Sequence, residues 1–205
     1  MSLFPAFLKL ENRLVLVVGG GSIATAKIPG LLEARARVRI VSPRLSPQLL
    51  HWFRTGAISW SNKLFSPEDL DTVFLVVAAT SLPEVNAAVF EAADRRNILC
   101  NAVDDMDHCH FYYGSVVQRG DLQIAISTNG KSPALAQRLR HELELQFAPE
   151  YAAWIEWLGA AREALRSQPA EPEITRQRLH FIASRPMFEK FLEQTRRSAG
   201  NHGAA

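Results

Sequence analysis

The stretch "LVLVVGGGSIATAK", residues 14–27, gives the clearest indication of the fold. Its first five residues form an uninterrupted apolar run, which three glycines and then an amphipathic segment follow. Apolar runs rich in β-branched residues are typical of strands that are buried on both faces of a parallel sheet. The stretch therefore predicts a strand over 14–18, a tight glycine turn, and a helix from about Ser22 to Glu33.

The same alternation continues as far as residue 104. Further strands are predicted at "VRIVS" (38–42), "AISWSN" (57–62), "TVFLVVAAT" (72–80) and "ILCNAV" (98–103). The segments between them carry helix signals, among them Ser46 as a cap with Pro47 in the first helical position. Strands that alternate with helices predict an α/β fold, a Rossmann-like doubly wound parallel sheet.

The pattern changes after residue 104. "GSVVQRGDLQIAIST" (114–128) contains two alternating runs around a Gly-Asp pair, which predicts an antiparallel hairpin. A long helix follows, with Ser132 as its cap, and the chain is helical in pattern from Pro149 to about Arg197. We therefore expect four regions: a nucleotide-binding domain (1–113), a hairpin and helix region (114–148), a C-terminal helical domain (149–198) and a disordered tail (199–205). The aromatic residues of the helical domain are expected to pack in a core or a dimer interface: Trp154, Trp157, Phe181 and Phe188.

Composition narrows the class of protein. The chain has 205 residues, with 23 basic and 21 acidic side chains and a net charge of +2, which is not the basic field of a general nucleic-acid binder. Its two cysteines, Cys100 and Cys109, are too few for a disulfide framework. We find neither a signal peptide nor an apolar run of membrane-spanning length. A cytoplasmic protein that binds neither membranes nor nucleic acid is expected.

The glycine turn fits the pattern G-x-G-x-x-A. Gly19 would allow the tight turn out of the strand, Gly21 would let a pyrophosphate approach the backbone, and Ala24 would keep the helix close to the strand. The amides of Ser22 and Ile23 would then face the phosphates. A turn that binds no ligand is the alternative, but the position after the first strand favours a dinucleotide.

The usual acid after the second strand is absent. A carboxylate there would bind the adenine ribose, whereas this chain has Ser42, Pro43 and Arg44. The serine could bond a ribose hydroxyl and the arginine could favour a 2′-phosphate, so the residues alone make NADP as plausible as NAD. Ala79 and Thr80 end the fourth strand, where a cofactor would cross the sheet edge.

Several blocks occur in order that together resemble the precorrin-2 dehydrogenase family, of the siroheme synthase N-terminal type. They are "VLVVGGGSIATAK", "LVVAAT", "NAVDD", "VVQRG" and "LQIAIST.GKSPALAQRLR", and the similarity covers roughly residues 3–150. The resemblance implies a stand-alone enzyme that oxidises precorrin-2 to sirohydrochlorin. It also implies a homodimer that exchanges elements of the hairpin and C-terminal region. Because the family prefers NAD although it also lacks the ribose acid, the resemblance favours NAD over NADP.

The resemblance also assigns residues. The essential aspartate of the "N-x-V-D" motif is Asp104 here, and Asn101 of the same motif is expected to contact substrate. A carboxylate at that strand end could accept a proton or orient the tetrapyrrole nitrogens. By itself the "VDDMD" segment could equally be a turn cap, and Asp105 is the weaker candidate.

Binding of precorrin-2, which carries eight carboxylates, requires positive charge and hydrogen-bond donors. Lys131 and the helix start at Ser132 are candidates, and Ser127 and Thr128 could line the pocket or bond the backbone. Further candidate cations, several of which could equally be solvated surface charge, are Arg119, Arg138 and Arg140.

Two questions stay open in the sequence. Some family members also insert ferrous iron, so iron is a possible chelatase substrate and a bifunctional enzyme is an alternative. A dinucleotide-sensing module without catalysis is a second alternative.

No metal site is predicted, because His108, Cys109 and His110 are spaced too tightly for a tetrahedral ligand set. The family commonly has glycine where Arg35 and Asn129 stand; Arg35 would be strained if its backbone is left-handed, whereas asparagine tolerates that conformation.

Overall fold

The computed structural model describes residues 3–201, with side chains described as far as residue 197. It divides into two compact units, of which the first ends at Tyr113 and the second begins at Gly114.

The first unit contains a five-stranded parallel sheet. Its strands are β1 (Leu14–Val18), β2 (Arg37–Val41), β3 (Ser59–Ser61), β4 (Leu75–Ala78) and β5 (Leu99–Ala102). Its helices are α1 (Ser22–Glu33), α2 (Pro47–Arg54) and α3 (Pro83–Asp94), with short 3-10 turns at Pro67–Leu70 and Met106–His108. The strand order is β3-β2-β1-β4-β5, and every pairing is parallel.

Both faces of the sheet are buried, as the apolar strand runs predict. Val15 and Val17 of β1 face a core that contains Ala24 and Ile28 of α1, whereas Leu16 and Val18 face the opposite core. That second core also contains the α3 residues Val89, Ala92 and Ala93. Helices therefore cover both faces, and the predicted doubly wound sheet is confirmed.

As far as Asn201, the second unit consists of a hairpin and four helices. The hairpin pairs β6 (Ser115–Arg119) with β7 (Leu122–Ile126), and the helices are α4 (Pro133–Gln146), α5 (Tyr151–Arg166), α6 (Pro172–Ile182) and α7 (Arg185–Asn201). Gly120 occupies the hairpin turn at φ +58°, a conformation that favours glycine. The Ser132 hydroxyl accepts a hydrogen bond from the Leu135 amide and caps α4 as predicted.

The aromatic residues of this unit divide into two sets. Trp154 and Phe188 are buried and their rings lie 4.8 Å apart, which agrees with core packing. Trp157 and Phe181 are 38% and 64% exposed, so this unit leaves a large part of both rings uncovered.

Two residues singled out in the sequence have a left-handed backbone. Arg35 follows α1 at φ +54° and Asn129 lies at φ +53°, both in the left-handed region. The expected disordered tail overlaps α7, whose backbone is helical to Asn201, and residues 202–205 lie outside the described residues. None of the helices described here combines the length and apolar character that crossing a membrane requires.

Candidate active site

A cleft lies at the carboxyl ends of the parallel strands, between β1 and β4, where the strand order switches from one side of β1 to the other. This switch point is the usual ligand site of an open α/β sheet. The cleft has a volume of about 630 Å³, which is within the range of small-molecule sites. Its lining residues come from four segments: Val18–Ile23, Val41–Ser46, Lys63–Phe65, and Ala79–Leu82 with Val85.

The first two glycines of the turn are required by close approaches of the backbone. Gly19 has φ +122°, and a Cβ there would lie 2.3 Å from the carbonyl oxygen of Ala79. A Cβ on Gly20 would lie 1.9 Å from the carbonyl oxygen of Arg44 and 2.6 Å from Ser42 Oγ. These two residues therefore let the loops after β2 and β4 close against the turn.

Gly21 differs, because a Cβ there would meet no atom within 4 Å. Gly21 is also the N-cap of α1, and no side chain within residues 3–197 caps this helix end. The α1 N-terminus therefore presents free backbone amides beside the open side of Gly21. Such a helix end suits an anion, and it is worth about 0.3–1 kcal/mol to a phosphate at an exposed position. These residues fit the pyrophosphate of a dinucleotide.

The loop after β2 holds its shape through the Ser42 side chain. The Ser42 hydroxyl donates to the carbonyl oxygen of Arg44 at 2.7 Å, and its oxygen accepts from the Arg44 amide at 3.4 Å. The indole of Trp60 donates to the Ser42 carbonyl oxygen at 2.9 Å. Ser42 is buried, so its hydroxyl shapes the loop, whereas Pro43 and Arg44 are exposed in the cleft wall.

The loop after β4 is held by a buried amide. Asn86 of α3 accepts hydrogen bonds from the Thr80 hydroxyl at 2.8 Å and the Thr80 amide at 3.2 Å. Its Nδ2 donates to the Thr80 carbonyl oxygen at 3.2 Å. Because the Asn86 side chain satisfies three backbone or hydroxyl groups, it fixes Ala79 and Thr80 at the edge of the cleft.

The structure brings together all but one of the residues that the sequence assigns to the cofactor. Those that line the cleft are Gly19, Gly21, Ser22, Ile23, Ser42, Pro43, Arg44, Ala79 and Thr80. Ala24 does not line it, since its side chain is fully buried in the core beneath α1. That burial is what keeps the helix close to the strand, which is the role the motif gives to this position.

Asp104 lies just beyond β5, at the same edge of the sheet as the glycine turn. Its backbone adopts φ +63°, a left-handed conformation that Asp tolerates better than most residues. Its carboxylate is exposed and makes no hydrogen bond or ion pair within the described residues. It is therefore available to a substrate.

Asp105 is already engaged by its own loop. Its Oδ2 lies 2.7 Å from Nδ1 of His108, and both side chains are about one-third exposed. This pairing agrees with the preference for Asp104 over Asp105 as the reactive carboxylate.

Asn101 is buried, and its side-chain amide bonds to other parts of the protein. The residue is 5% exposed, and its Nδ2 donates to the Phe111 carbonyl oxygen at 2.9 Å and to Cys109 Sγ at 3.3 Å. Its Oδ1 is buried and has no hydrogen-bond partner among the described residues. In this structure Asn101 therefore supports the segment after Asp104, and its expected contact with substrate stays a prediction.

The two cysteines lie close to Asn101: Cys100 is in β5, and Cys109 follows the 3-10 turn at Met106–His108. Burial raises the pKa of the Cys100 thiol to about 12, with a smaller contribution from Cys109. Burial likewise raises the pKa of Cys109, whose Sγ donates to the carbonyl oxygens of Ala102 and Asp105. Both thiols are held in the protonated form, which argues against a nucleophilic role.

The two histidines of this segment bond to protein groups. His110 accepts from the Cys100 amide at Nδ1, and its Nε2 lies 3.1 Å from Asp94. Phe90 packs against both imidazoles, with ring centroids 5.1 Å from His108 and 4.8 Å from His110. Within residues 3–197, no group of three or more His, Cys, Asp and Glu side chains is arranged to hold a metal ion.

The residues assigned to substrate in the second unit lie around the start of α4. The Thr128 hydroxyl oxygen accepts from the Ser132 amide at 3.1 Å, and Ser127 accepts from the Asn129 amide at 3.2 Å. These bonds form the turn, and they leave the hydroxyl protons of Thr128 and Ser132 to donate elsewhere. Lys131 is exposed and has no side-chain partner within the described residues.

The other candidate cations are engaged by the protein. Arg119 donates to the carbonyl oxygens of Phe147 and Glu144, which lie at and just beyond the carboxyl end of α4. Arg138 and Arg140 form ion pairs one helical turn along α4, with Glu142 and Glu144. Among these candidate cations, Lys131 is thus the one whose ammonium group no acidic side chain or carbonyl oxygen of the described residues engages.

Three groups at the cleft were missed by reasoning from the sequence. Gly20 is the variable position of the glycine motif, so the pattern assigns it no role. Asn86 is a buried asparagine within a helical pattern, and a polar residue on an apolar helix face was the available signal. Lys63 lines the cleft and pairs at 2.8 Å with the buried Asp69 of the nearby 3-10 turn, in a stretch of chain that no nucleotide-binding motif includes.

Comparison with known proteins agrees with this geometry. Residues 6–115 match the family described as "Putative NAD(P)-binding", and residues 119–146 match the family described as "Sirohaem biosynthesis protein central". A solved structure described as "SirC, precorrin-2 dehydrogenase" is 28% identical and superposes with a TM-score of 0.78, covering 95% of this chain and 100% of that one.

Curated relatives match at higher identity over part of their length. "Siroheme synthase 1" of Pectobacterium atrosepticum is 41% identical over 92% of this chain, which corresponds to 37% of the relative. "Siroheme synthase 1" of Yersinia enterocolitica is 49% identical over 70% of this chain and 30% of the relative. The chain thus spans about a third of the length of these relatives. The resemblance found in the sequence blocks is confirmed.

Proposed function

We propose that this chain, which belongs to the putative NAD(P)-binding family, oxidises precorrin-2 to sirohydrochlorin and passes the hydride to NAD⁺. The observation that carries the proposal is the open position at Gly21, beside an α1 N-terminus that no side chain caps. The name of the solved structure with a TM-score of 0.78, a precorrin-2 dehydrogenase, supports the choice of substrate.

The glycine turn and the loop after β4 would hold the dinucleotide. Backbone amides of Ser22 and Ile23 would bind its pyrophosphate, while Ala79 and Thr80, fixed by Asn86, would support it where it crosses the sheet edge. When bound, NAD⁺ supplies a hydride acceptor. The preference for NAD⁺ over NADP⁺ rests on the family that the sequence blocks resemble.

Asp104 would act on the proton that the oxidation removes from the substrate. The oxidation removes one hydride and one proton from the substrate, and a carboxylate can accept that proton or orient the tetrapyrrole nitrogens. The carboxyl ends of β1 and β5 are separated by β4, so they lie two strand spacings apart, about 10 Å. A dinucleotide held at the glycine turn can extend over that distance toward β5, because its two halves are joined through the pyrophosphate.

The substrate carboxylates need donors and positive charge. We propose that Lys131 and the hydroxyls of Ser127, Thr128 and Ser132 contact them, since the lysine is unopposed and the turn displays its hydroxyls. Partly exposed apolar side chains of the hairpin and α4 support a homodimer, with Val116, Leu135 and Leu145 being 42%, 39% and 87% exposed. A cytoplasmic location remains the expectation from the two unpaired thiols.

Substitution of Asp104 tests the proposal. We expect Asp104→Ala and Asp104→Asn to bind NAD⁺ like the unmodified protein and to lower the rate of precorrin-2 oxidation at least about 100-fold, the usual effect of losing a proton acceptor. The assay follows the absorbance of sirohydrochlorin and of NADH. Asp107→Asn, an exposed carboxylate in the same loop, is the control and should retain activity.

The outcomes separate the competing functions. Failure to oxidise precorrin-2 with either dinucleotide, together with tight NAD⁺ binding, would favour a sensing module. Near-normal turnover of Asp104→Ala would remove this carboxylate from the mechanism. Iron insertion is a second candidate, favoured by the name siroheme synthase of the relatives, and is tested by adding ferrous ion to sirohydrochlorin with and without the protein.

A further inference from the structure

The wall of the dinucleotide cleft is positively charged. Its lining residues include two cations, Arg44 and Lys63, and among the described lining residues there is no Asp or Glu. We propose that Arg44 forms a binding site for the 2′-phosphate of NADP⁺, so that the chain accepts NADP⁺ as well as NAD⁺. This inference rests on the proposed dinucleotide binding and concerns its adenosine end.

The position of Arg44 carries the first part of the argument. It lies three residues beyond Val41, the last residue of β2, in the loop where the adenosine ribose of a bound dinucleotide lies in this fold. Its side chain is exposed and has no hydrogen bond or ion pair within the described residues. The guanidinium is therefore free to form paired hydrogen bonds with a phosphate.

Lys63 contributes less, because its charge is already opposed. Its Nζ lies 2.8 Å from Oδ1 of Asp69, whose side chain is 8% exposed, and 3.3 Å from the Ser66 hydroxyl. Asp69 in turn accepts from the Ser66 amide at 2.9 Å, which fixes the pair in place. The buried Asp69 carboxylate holds the Lys63 ammonium away from a ligand. Arg44 is therefore the residue that determines binding of the 2′-phosphate.

The place of the usual ribose carboxylate is closed by the packing of the loop. Ser42 is buried, its hydroxyl bonds both the amide and the carbonyl of Arg44, and its Oγ lies 2.6 Å from where a Cβ on Gly20 would stand. A larger acidic side chain at position 42 would displace the turn. The cleft thus lacks the negative charge that repels a 2′-phosphate in NAD-specific sites.

Binding measurements on the full chain test the inference. Titration calorimetry is done with NAD⁺, NADP⁺, adenosine 5′-monophosphate and adenosine 2′,5′-bisphosphate, of which the last two differ only in the 2′-phosphate. We expect the bisphosphate to bind at least about fivefold more tightly than the monophosphate, and Arg44→Ala to abolish that difference. The ratio of the NADP⁺ Kd to the NAD⁺ Kd should rise about tenfold in Arg44→Ala.

Arg54→Ala is the matched control, because Arg54 is an exposed arginine of α2 outside the cleft. It changes the net charge equally and should leave the Kd ratio unchanged. Arg44→Ala should also retain the melting temperature, since the side chain is exposed.

Different outcomes test the NADP⁺ site at Arg44 and the proposed function on which it rests. Equal binding of the two adenosine phosphates by the unmodified protein would overturn the inference, as would an equal loss of NAD⁺ and NADP⁺ affinity in Arg44→Ala. Binding of NAD⁺ with no detectable binding of NADP⁺ would overturn the inference alone. Failure of every nucleotide to bind would overturn the proposed function as well.

Discussion

Substitution of the second and third glycines of the turn, one at a time, separates packing from ligand binding. In Gly20→Ala, the new Cβ would lie 1.9 Å from the Arg44 carbonyl oxygen, against a normal contact of more than 3 Å, so the loop after β2 must move by more than 1 Å. That movement disturbs the hydrogen bond of 2.7 Å from the Ser46 amide to the Gly20 carbonyl oxygen. Overpacking and the weakened bond together cost about 3 kcal/mol.

Gly21→Ala should have the opposite profile. Its Cβ would meet nothing within 4 Å, and the residue has φ −94°, which alanine adopts freely. The weaker capping by alanine and the reduced freedom of the unfolded chain offset each other, so stability should change by less than about 1 kcal/mol. The methyl group would instead stand where the pyrophosphate approaches, and we expect NAD⁺ affinity to fall about tenfold or more.

Thermal unfolding and NAD⁺ titration of both variants provide the measurement. For a chain of this size, the Gly20→Ala cost lowers the Tm by about 6–12 °C, whereas Gly21→Ala should stay within about 4 °C of the unmodified protein. Unchanged NAD⁺ affinity in Gly21→Ala would refute the assignment of its open side to the phosphates. A Tm of Gly20→Ala equal to that of the unmodified protein would refute the packing argument.

Two further predictions concern stability. Burial raises the pKa of Cys100 to about 12, so the unfolded chain loses this proton at lower pH than the folded chain, and stability should fall as pH rises from about 9 toward 12. At pH 10.5 this difference in pKa lowers the free energy of unfolding by about 2 kcal/mol. In urea unfolding, the stability of Cys100→Ala should therefore decline less steeply between pH 9 and 12 than that of the unmodified protein. An identical decline in both proteins would contradict the burial effect. Arg35→Gly should raise stability by about 0.5–1 kcal/mol, because Arg35 has φ +54° and its ion pair with Glu11 is largely exposed; a lower Tm would show that the ion pair outweighs the strain.

The fold could be predicted from local pattern because each of its elements is encoded locally. The alternation of apolar runs and capped helices identified the parallel sheet, and Ser46 and Ser132 cap α2 and α4 as their sequence positions indicate. Element ends were less accurate: the strand predicted at 38–42 runs from Arg37 to Val41, so Ser42 lies in the loop. Strand ends depend on where pairing with neighbours stops, and that is a property of the sheet.

The glycine turn, the missing ribose acid and the carboxylate after β5 follow from the amino-acid sequence alone, because each depends on residues adjacent in the chain. Which of these residues are available to a ligand follows from tertiary contacts. The tertiary structure buried Asn101, paired Asp105 with His108, and left Asp104 and Arg44 unpaired within the described residues. Availability also depends on contacts between segments that are distant in sequence, such as the hydrogen bond from the Trp60 indole to the Ser42 carbonyl oxygen in the loop that carries Arg44, and packing alone brings those segments together.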